Sequence, residues 1–334
     1  MKKIYSFLAI ATTLFMCSAC NNEWEDELYT QMVSLKAPYE NQGVTNIYLR
    51  YKPNGEVTYK LPVIVSGSKV NEQNLDVHLG VDNDTLKILN EERYQFRTDL
   101  HYQQLSEQHY EFTSPTCHIP AGSSMEMYEI KFKFKDLNLV EKWVLPMKVE
   151  ENPSYIVNRR KGNGKALLRV MPFNDYSGTY SATSMRIYLD LTGYDKPLIM
   201  NTRTAWVVDE NSIFFYAGVT DEEDINRATY KIIATFKENG KLDVRPADPA
   251  NPINFALIDN NPTYEIRTEA DPTLPYLTHY YVTMYIKYSY DDITSMKGTP
   301  IRYNVEGSMT TERKINELIP DEDQAIEWLS LIHI

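Results

Sequence analysis

Strict alternation of apolar and polar residues is the feature that most constrains this fold. Residues 129–135 read Glu-Ile-Lys-Phe-Lys-Phe-Lys, so Ile130, Phe132 and Phe134 face one way and the lysines face the other. Side chains alternate between the two faces of a strand, whereas a helix would repeat every 3.6 residues. The segment therefore predicts a strand with one solvated face, and similar alternation from about residue 30 onward predicts an all-β protein.

The first half of the chain contains short strand-like runs separated by turn signals. Asn54-Gly55 is the residue pair favoured in a type I′ turn and predicts a hairpin over residues 46–65. About seven short strands at this spacing predict an N-terminal immunoglobulin-like β-sandwich over residues 31–171. The polar segment 86–105 is interpreted as a long loop or a short helix.

Pro172 and the turn-rich stretch Asn174-Asp175-Tyr176-Ser177-Gly178 indicate a domain boundary. Further strand-like runs follow, and Asn239-Gly240 predicts a hairpin between two of them. About eight antiparallel strands of this length can close into a barrel or stack as a sandwich. Residues 172–318 are therefore predicted to form a C-terminal antiparallel β-barrel or β-sandwich.

Residues 1–19 have the features of a lipoprotein signal peptide. Two lysines precede the apolar stretch 4–16, which is too short for a membrane-spanning helix of about 20 residues. Ala19 is a small residue directly before Cys20, as the lipoprotein signal peptidase requires, although Cys17 takes a place usually held by an aliphatic residue. We predict that Cys20 is lipidated and begins an acidic tether over residues 20–30. An ordinary secretory signal cut nearby is the alternative.

Charge and motif content exclude several classes of function. The chain has 34 Lys and Arg against 46 Asp and Glu, a net charge of −12, which argues against nucleic acid as a partner. We find no nucleophile elbow, zinc-protease helix or P-loop, and we predict neither a cofactor nor a metal site. The acidic clusters at 221–224, 291–292 and 321–323 are typical of solvated turns.

Aromatic residues are the more suggestive candidates for ligand contacts, because the C–H faces of sugars stack on aromatic rings. Tyr281 and Tyr285 alternate with Val282 and Met284, which predicts that the two tyrosines share an exposed face of one strand. Trp206 is a further candidate for stacking. The alternatives are packing of Trp206 in the core and ordinary cross-strand packing of the tyrosines.

Two other segments are interpreted as having no part in function. Cys117 lies in a strand-like context and is interpreted as a small buried residue rather than a nucleophile. Residues 319–334 form a tail, and its last six residues can be back-translated into an adapter used in sequencing libraries. We therefore predict that residues 329–334 are not native.

Several motifs resemble those of a known group of proteins. In the first domain they are Leu61-Pro62-Val63-Ile64-Val65-Ser66-Gly67, Val81-Asp82, Ile119-Pro120-Ala121-Gly122 and Trp143-Val144-Leu145-Pro146-Met147. In the second domain they are Asp175-Tyr176-Ser177-Gly178-Thr179-Tyr180 and Val305-Glu306-Gly307-Ser308-Met309-Thr310. Over residues 30–320 the chain resembles the two-domain Bacteroidota surface lipoproteins of polysaccharide-utilisation loci, many of whose domains have no known function. The acidic run after Cys20 also resembles the surface-export signal of such lipoproteins.

The resemblance implies a function at the cell surface. It implies a non-catalytic protein, held in the outer membrane by its lipid anchor, that binds a polysaccharide or other glycan. The glycan would pass to an outer-membrane importer complex of the starch-utilisation type. The aromatic pattern, and not the resemblance, places the ligand-binding surface of the second domain at Trp206, Tyr281 and Tyr285. A glycan-active hydrolase with an unrecognised carboxylate pair and a structural or adhesive envelope protein are the alternatives.

Overall fold

The computed structural model describes residues 29–37, 43–137, 139, 141–296, 298–320 and 326–327. The predicted signal peptide, Cys20, most of the acidic tether and residues 329–334 lie outside the described residues. Strands dominate the described chain, which confirms the all-β class.

The first half of the described chain, which we call the first domain, forms an immunoglobulin-like sandwich of two sheets. Its strands are β1 Met32–Leu35, β2 Thr45–Arg50, β3 Glu56–Ser66, β4 Leu75–Val81, β5 Gln103–Gln104, β6 Tyr110–Phe112, β7 Thr116–Ile119, β8 Met125–Lys133, β9 Trp143–Val149 and β10 Lys165–Phe173. One sheet has the order β1–β3–β8–β6, and the other has the order β2–β10–β9–β4–β7 with β5 beside β9.

The core of the first domain lies between these sheets. Ile130 and Phe132 are fully buried in it, while Lys131 and Lys133 on the opposite face form ion pairs of 2.7 Å with glutamates on neighbouring strands. Cys117 is buried in the same core, and burial raises the pKa of its thiol to about 11. Its position confirms that Cys117 is a small buried residue, and a protonated, shielded thiol is a poor nucleophile.

The predicted hairpin over residues 46–65 is wrong. Strand β2 pairs in parallel with β10, whereas β3 pairs with β1 and β8, so β2 and β3 lie in opposite sheets. A type I′ turn needs a positive φ at both central residues, and of the pair only Gly55 has one, at 69°. The Asn54 side chain instead accepts a hydrogen bond from the backbone N–H of Glu56 at 3.0 Å. The turn therefore carries the chain from one sheet to the other.

The polar segment 86–105 begins inside a helix, α1, which spans Asn83–Tyr94. The carboxylate of Asp82 caps this helix, because it accepts hydrogen bonds from the backbone N–H of Thr85 at 3.5 Å and from its hydroxyl at 2.6 Å. Leu86 packs against the outer face of the second sheet. The helix thereby covers that face and ends beside the second domain.

The described chain after Phe173, which we call the second domain, forms a nearly closed antiparallel barrel. Its strands are β11 Gly178–Ser181, β12 Arg186–Leu189, β13 Thr202–Asp209, β14 Ser212–Tyr216, β15 Lys231–Phe236, β16 Leu242–Pro246, β17 Ala256–Leu257, β18 Thr263–Ala270, β19 Leu277–Asp292 and β20 Ile301–Asn316, with β21 Ile326–Glu327 paired to β20. The sheet runs β16–β15–β14–β13–β11–β20–β19, and β18 also pairs with β19. A single bridge from Lys241 to Thr263 joins the two ends of the sheet. The barrel is therefore the correct one of the two predicted architectures.

Candidate functional site

The outer face of β13 provides one wall of the candidate site. Ala205 and Val207 on this strand point into the barrel core and are 2% exposed. Thr202, Thr204 and Trp206 point outward, and Trp206 is half-buried although it faces away from the core. Something other than the barrel itself must therefore cover part of the Trp206 ring.

The first domain provides that cover. Phe214 lies opposite Trp206 in the β13–β14 register, and both Phe214 and Tyr216 are buried, at 1% and 4% exposure. Leu139 of the first domain lines the same small cavity as Trp206 and Tyr216. The ammonium group of Lys231 lies 4.1 Å from the centroid of the Phe214 ring. We call the outer face around Phe214, Tyr216 and Lys231 the covered part.

Two arginines hold the domains together beside this face. Arg97 in the first domain donates a hydrogen bond to the backbone carbonyl of Glu223 at 2.8 Å. Arg227 in the second domain donates to the backbone carbonyl of Asp99 at 2.7 Å. Arg97 also donates to the carboxylate of Asp99 at 2.8 Å and lowers the pKa of that group. These bonds fix the acidic loop 221–224 against the first domain.

Two contiguous cavities remain where the domains do not meet. Their volumes are about 510 and 440 Å³, within the usual range of ligand sites. Both are lined by Arg169, Thr202, Thr204 and Glu222, so they form one continuous depression. We call it the interdomain groove and define it by Tyr48, Tyr94, Lys142, Arg169, Trp206 and Glu222.

A buried arginine positions the loop that carries Glu222. The guanidinium of Arg203 donates hydrogen bonds to the backbone carbonyls of Gly218 and Thr220. Gly218 has a φ of 51°, and a Cβ at this position would collide with the side chain of Tyr290. A glycine is therefore required for the close approach of this loop to the barrel wall. The result is a fixed position for the acidic loop at the groove.

Lys142 provides the principal partly buried cation of the first-domain wall. It lies just before β9, where its backbone carbonyl accepts a hydrogen bond from Gln103 at 2.9 Å. Burial lowers the pKa of its ammonium group, and Arg169 adds to this shift, while Tyr94 and Glu222 oppose it. Among the described residues Lys142 forms no ion pair, and its charge lies 5.6 Å from the Tyr94 ring centroid. The groove thus contains a donor group that has lost water and gained no carboxylate partner.

Tyr281 and Tyr285 stand on the outer face of β19, as the alternation predicts. Val282 and Met284 next to them are fully buried, whereas Tyr285 is 42% exposed. The hydroxyl of Tyr285 donates to the carboxylate of Glu265 at 2.9 Å. We call the outer face around Tyr281, Tyr285 and His279 the open part. Tyr285 has the more accessible ring of the two tyrosines.

The Tyr281 ring already has contacts within the sheet. The guanidinium of Arg267 lies 4.6 Å from its centroid, and the His279 ring stacks on it at 6.1 Å. His279 itself contacts a carboxylate at each ring nitrogen, Asp271 at 2.8 Å through Nε2 and Glu312 through Nδ1. Both nitrogens can donate only when the ring is protonated, so these carboxylates raise the pKa of His279. This cluster crosslinks β19, β20 and the loop after β18.

The structure places the three predicted ligand residues in two different surroundings. Trp206 lines the interdomain groove, whereas Tyr281 and Tyr285 lie on the open part of the same outer face. Glu312 connects the two places, because it lines the larger cavity and contacts His279. The assignment of these residues to a ligand stays a prediction.

Sequence patterns did not identify the charged residues of the groove. Lys142 and Glu222 lie in loop segments of different domains, and Arg169 lies in a strand with otherwise apolar neighbours. The acidic run 221–224 was the one available signal, and it was interpreted as a solvated turn. Its position at the domain contact follows from Arg97 and Arg227, which no local pattern links to it.

The fold and the groove define a class of protein in which an immunoglobulin-like sandwich is followed by a nearly closed β-barrel. The model of a domain of unknown function, DUF4973, matches residues 24–153, and a second model described as "-like, C-terminal" matches residues 164–310. A Bacteroides ovatus multidomain protein that includes DUF1735 is 48% identical, with a TM-score of 0.82 over 89% of this chain and 99% of that one. The chain belongs to this family of two-domain Bacteroides proteins.

Two further relatives have the same two-domain structure. An auxiliary nutrient binding protein from Bacteroides thetaiotaomicron is 37% identical, with a TM-score of 0.77 over 86% of this chain and 97% of that one. A Bacteroides ovatus protein of unknown function is 32% identical, with a TM-score of 0.77 over 88% of this chain and 95% of that one. None of the curated proteins compared with the chain matches it.

No group of three or more His, Cys, Asp or Glu side chains in the described ranges is placed to hold a metal ion. The helices found in the same ranges are too short or too polar to cross a bilayer.

Proposed function

We propose that this protein is a lipid-anchored surface protein that binds a glycan in the interdomain groove and passes it on without cleaving it. The observation that carries the proposal is Trp206, whose half-buried ring lines a groove of about 510 Å³ beside hydroxyl and charged side chains. An aromatic ring can stack on the C–H face of a sugar, while the polar groups bind its hydroxyls.

The family supports this proposal. The Bacteroides thetaiotaomicron relative described as an auxiliary nutrient binding protein shares both domains with this chain. A nutrient-binding role for the relative agrees with the surface display that we propose from Cys20 and the acidic residues after it. An importer of the starch-utilisation type would then receive the glycan. Many anchored copies would supply avidity where one site binds weakly.

A binding experiment with three single variants tests the proposal and locates the site. The chain from residue 20 onward, made without lipidation, is titrated with plant, host and microbial glycans by calorimetry. We expect Trp206→Ala to weaken binding at least about tenfold, as for a central aromatic contact. Tyr281→Ala and Tyr285→Ala serve as comparisons, because a loss in those variants alone would move the site to the open part.

Hydrolysis is a second candidate, favoured by one observation. Glu141 and Glu222 line the same small cavity as Trp206, and neither forms an ion pair with another described residue. Glycosidases need two carboxylates on either side of the scissile bond. Product analysis by chromatography after long incubation separates the two functions. Reducing-end products that vanish in Glu222→Gln would replace the binding function with an enzymatic one.

A further inference from the structure

The two walls of the interdomain groove carry opposite charges. The first-domain wall contains Arg93, Lys142 and Arg169, which donate hydrogen bonds and accept none. The second-domain wall contributes Glu222 and two further acidic residues of the loop 221–224, which only accept. It also contains Arg203, whose guanidinium already donates to the backbone carbonyls of Gly218 and Thr220. The smaller cavity, of about 440 Å³, separates these walls.

Lys142 and Glu222 face this space without neutralising each other. Both side chains are half-buried, and neither forms an ion pair or side-chain hydrogen bond with a residue of the described chain. Placing such groups out of water costs free energy unless a partner replaces the lost hydrogen bonds. A ligand in the groove can supply that partner to both groups at once.

The charges of the walls restrict what that ligand can be. An anionic ligand would gain from Lys142 but would meet Glu222 and the neighbouring acidic side chains across a space with a low effective dielectric constant. A cationic ligand would meet Arg93, Lys142 and Arg169 in the same way. A hydroxyl group both donates and accepts, so neighbouring hydroxyls of one uncharged sugar can bond to both walls.

We infer that the groove selects an uncharged, hydroxyl-rich saccharide over its charged counterparts. Lys142 donates to one hydroxyl, Glu222 accepts from another, and the ring of Trp206 lies beside them. This inference rests on the proposed function, because it names the class of glycan that binds at the same site.

Pairs of uncharged and charged oligosaccharides test the inference. The probes are galactose and galacturonate oligomers for negative charge, and chitin and chitosan oligomers for positive charge, titrated at pH 7 with the unlipidated chain from residue 20. We expect an uncharged member to bind and its charged counterpart to bind at least about tenfold more weakly. Tighter binding of the galacturonate or chitosan member would overturn the inference and leave glycan binding in place.

Variants at two residues, Lys142 and Glu222, connect the selectivity to the groove. Glu222→Gln and Lys142→Met should each weaken binding of the uncharged oligomer about tenfold, and Lys142→Arg should restore part of it. Lys87→Met and Glu91→Gln are the matched controls, because they form an exposed pair at 3.9 Å on helix α1. Unchanged affinity in both groove variants would overturn the inference even if a glycan binds elsewhere. If every probe fails to bind, both the inference and the proposed function fail.

Discussion

The covered and open parts of the barrel surface occupy the same outer face but have opposite environments. Phe214 and Tyr216 in the covered part are almost fully buried, and Tyr216 lines a small cavity together with Leu139 and Lys142 of the first domain. Tyr285 in the open part is 42% exposed, although it lies on the same side of the sheet. Alternation along a strand therefore decides which side chains point away from the barrel core. Domain packing then decides which of these outward-facing side chains are buried from solvent.

The pKa values of the cations in the two parts are shifted in opposite directions. Burial lowers the pKa of Lys231 in the covered part to about 8, and Glu141 opposes this only in part. Hydrogen bonds that His279 donates to the carboxylates of Asp271 and Glu312 raise its pKa in the open part. Desolvation without a partner disfavours charge, and close carboxylates favour it. The charge of Lys231 should therefore oppose folding at neutral pH, while the charge of His279 should support it.

The largest effect should come from Phe214→Ala. The ring is 1% exposed and is surrounded by Trp206, Tyr216 and Lys231, so its loss leaves a cavity. We expect about 3–5 kcal/mol less stability in urea unfolding of the second domain. Tyr285→Ala is the matched control from the open part. A loss below about 1 kcal/mol for Phe214→Ala would mean that the domains are not packed here in solution.

His279→Gln should give the next largest effect, with a defined pH dependence. The folded-state pKa of His279 is raised, so its contribution is fully present below the ordinary value of about 6.5 and is lost as pH rises through the raised value. The pKa of Asp271 is lowered to about 2, so its contribution is present above its ordinary value and is lost as pH falls towards 2. The variant should therefore melt several degrees below the parent between about pH 4.5 and 6.

Thermal melts across this pH range compare His279→Gln with a matched control. His118→Gln removes a similar His–Asp pair, which Asp76 forms at 2.7 Å, but both side chains there are more than half exposed. We expect little change in the control at any pH, because exposed pairs contribute little. If the difference in melting temperature between the parent and His279→Gln does not narrow above neutral pH, protonation of His279 does not have the role given to it here.

Lys231→Met should have a smaller effect of the opposite sign. The pKa of Lys231 is depressed when folded, so the unfolded chain holds more protons between about pH 8 and 10.4 and stability rises with pH there. At pH 7 the charged form opposes folding, and methionine removes that cost while it preserves the contact with Phe214. After allowance for solvent screening, we expect a gain of about 1 kcal/mol at pH 7 that disappears near pH 10.5. Urea unfolding at both pH values measures it.

These residues show how far the sequence predicts the molecule. The alternation of Tyr281 and Tyr285 with buried neighbours correctly predicted that both tyrosines lie on the outer face of the sheet, because side chains along a strand alternate strictly between its two faces. The same pattern could not show that Tyr216 on the outer face is covered, because Leu139 and Lys142, which line the cavity beside it, lie about 75 positions earlier in the chain. The predicted pairing of β2 was wrong for the same reason. Asn54-Gly55 predicted a local hairpin, whereas β2 pairs with β10, which is distant in the sequence.

The smallest effect should come from Tyr285→Phe in the open part. The change removes one hydroxyl that donates to Glu265 at 2.9 Å in an exposed position, where water can replace the lost partner. We expect less than about 0.5 kcal/mol in urea unfolding, in contrast to the covered Phe214. Measurement at two protein concentrations makes the result decisive. A loss above 1 kcal/mol that grows with concentration would mean that a second copy buries this face, and the open part would then be covered as well.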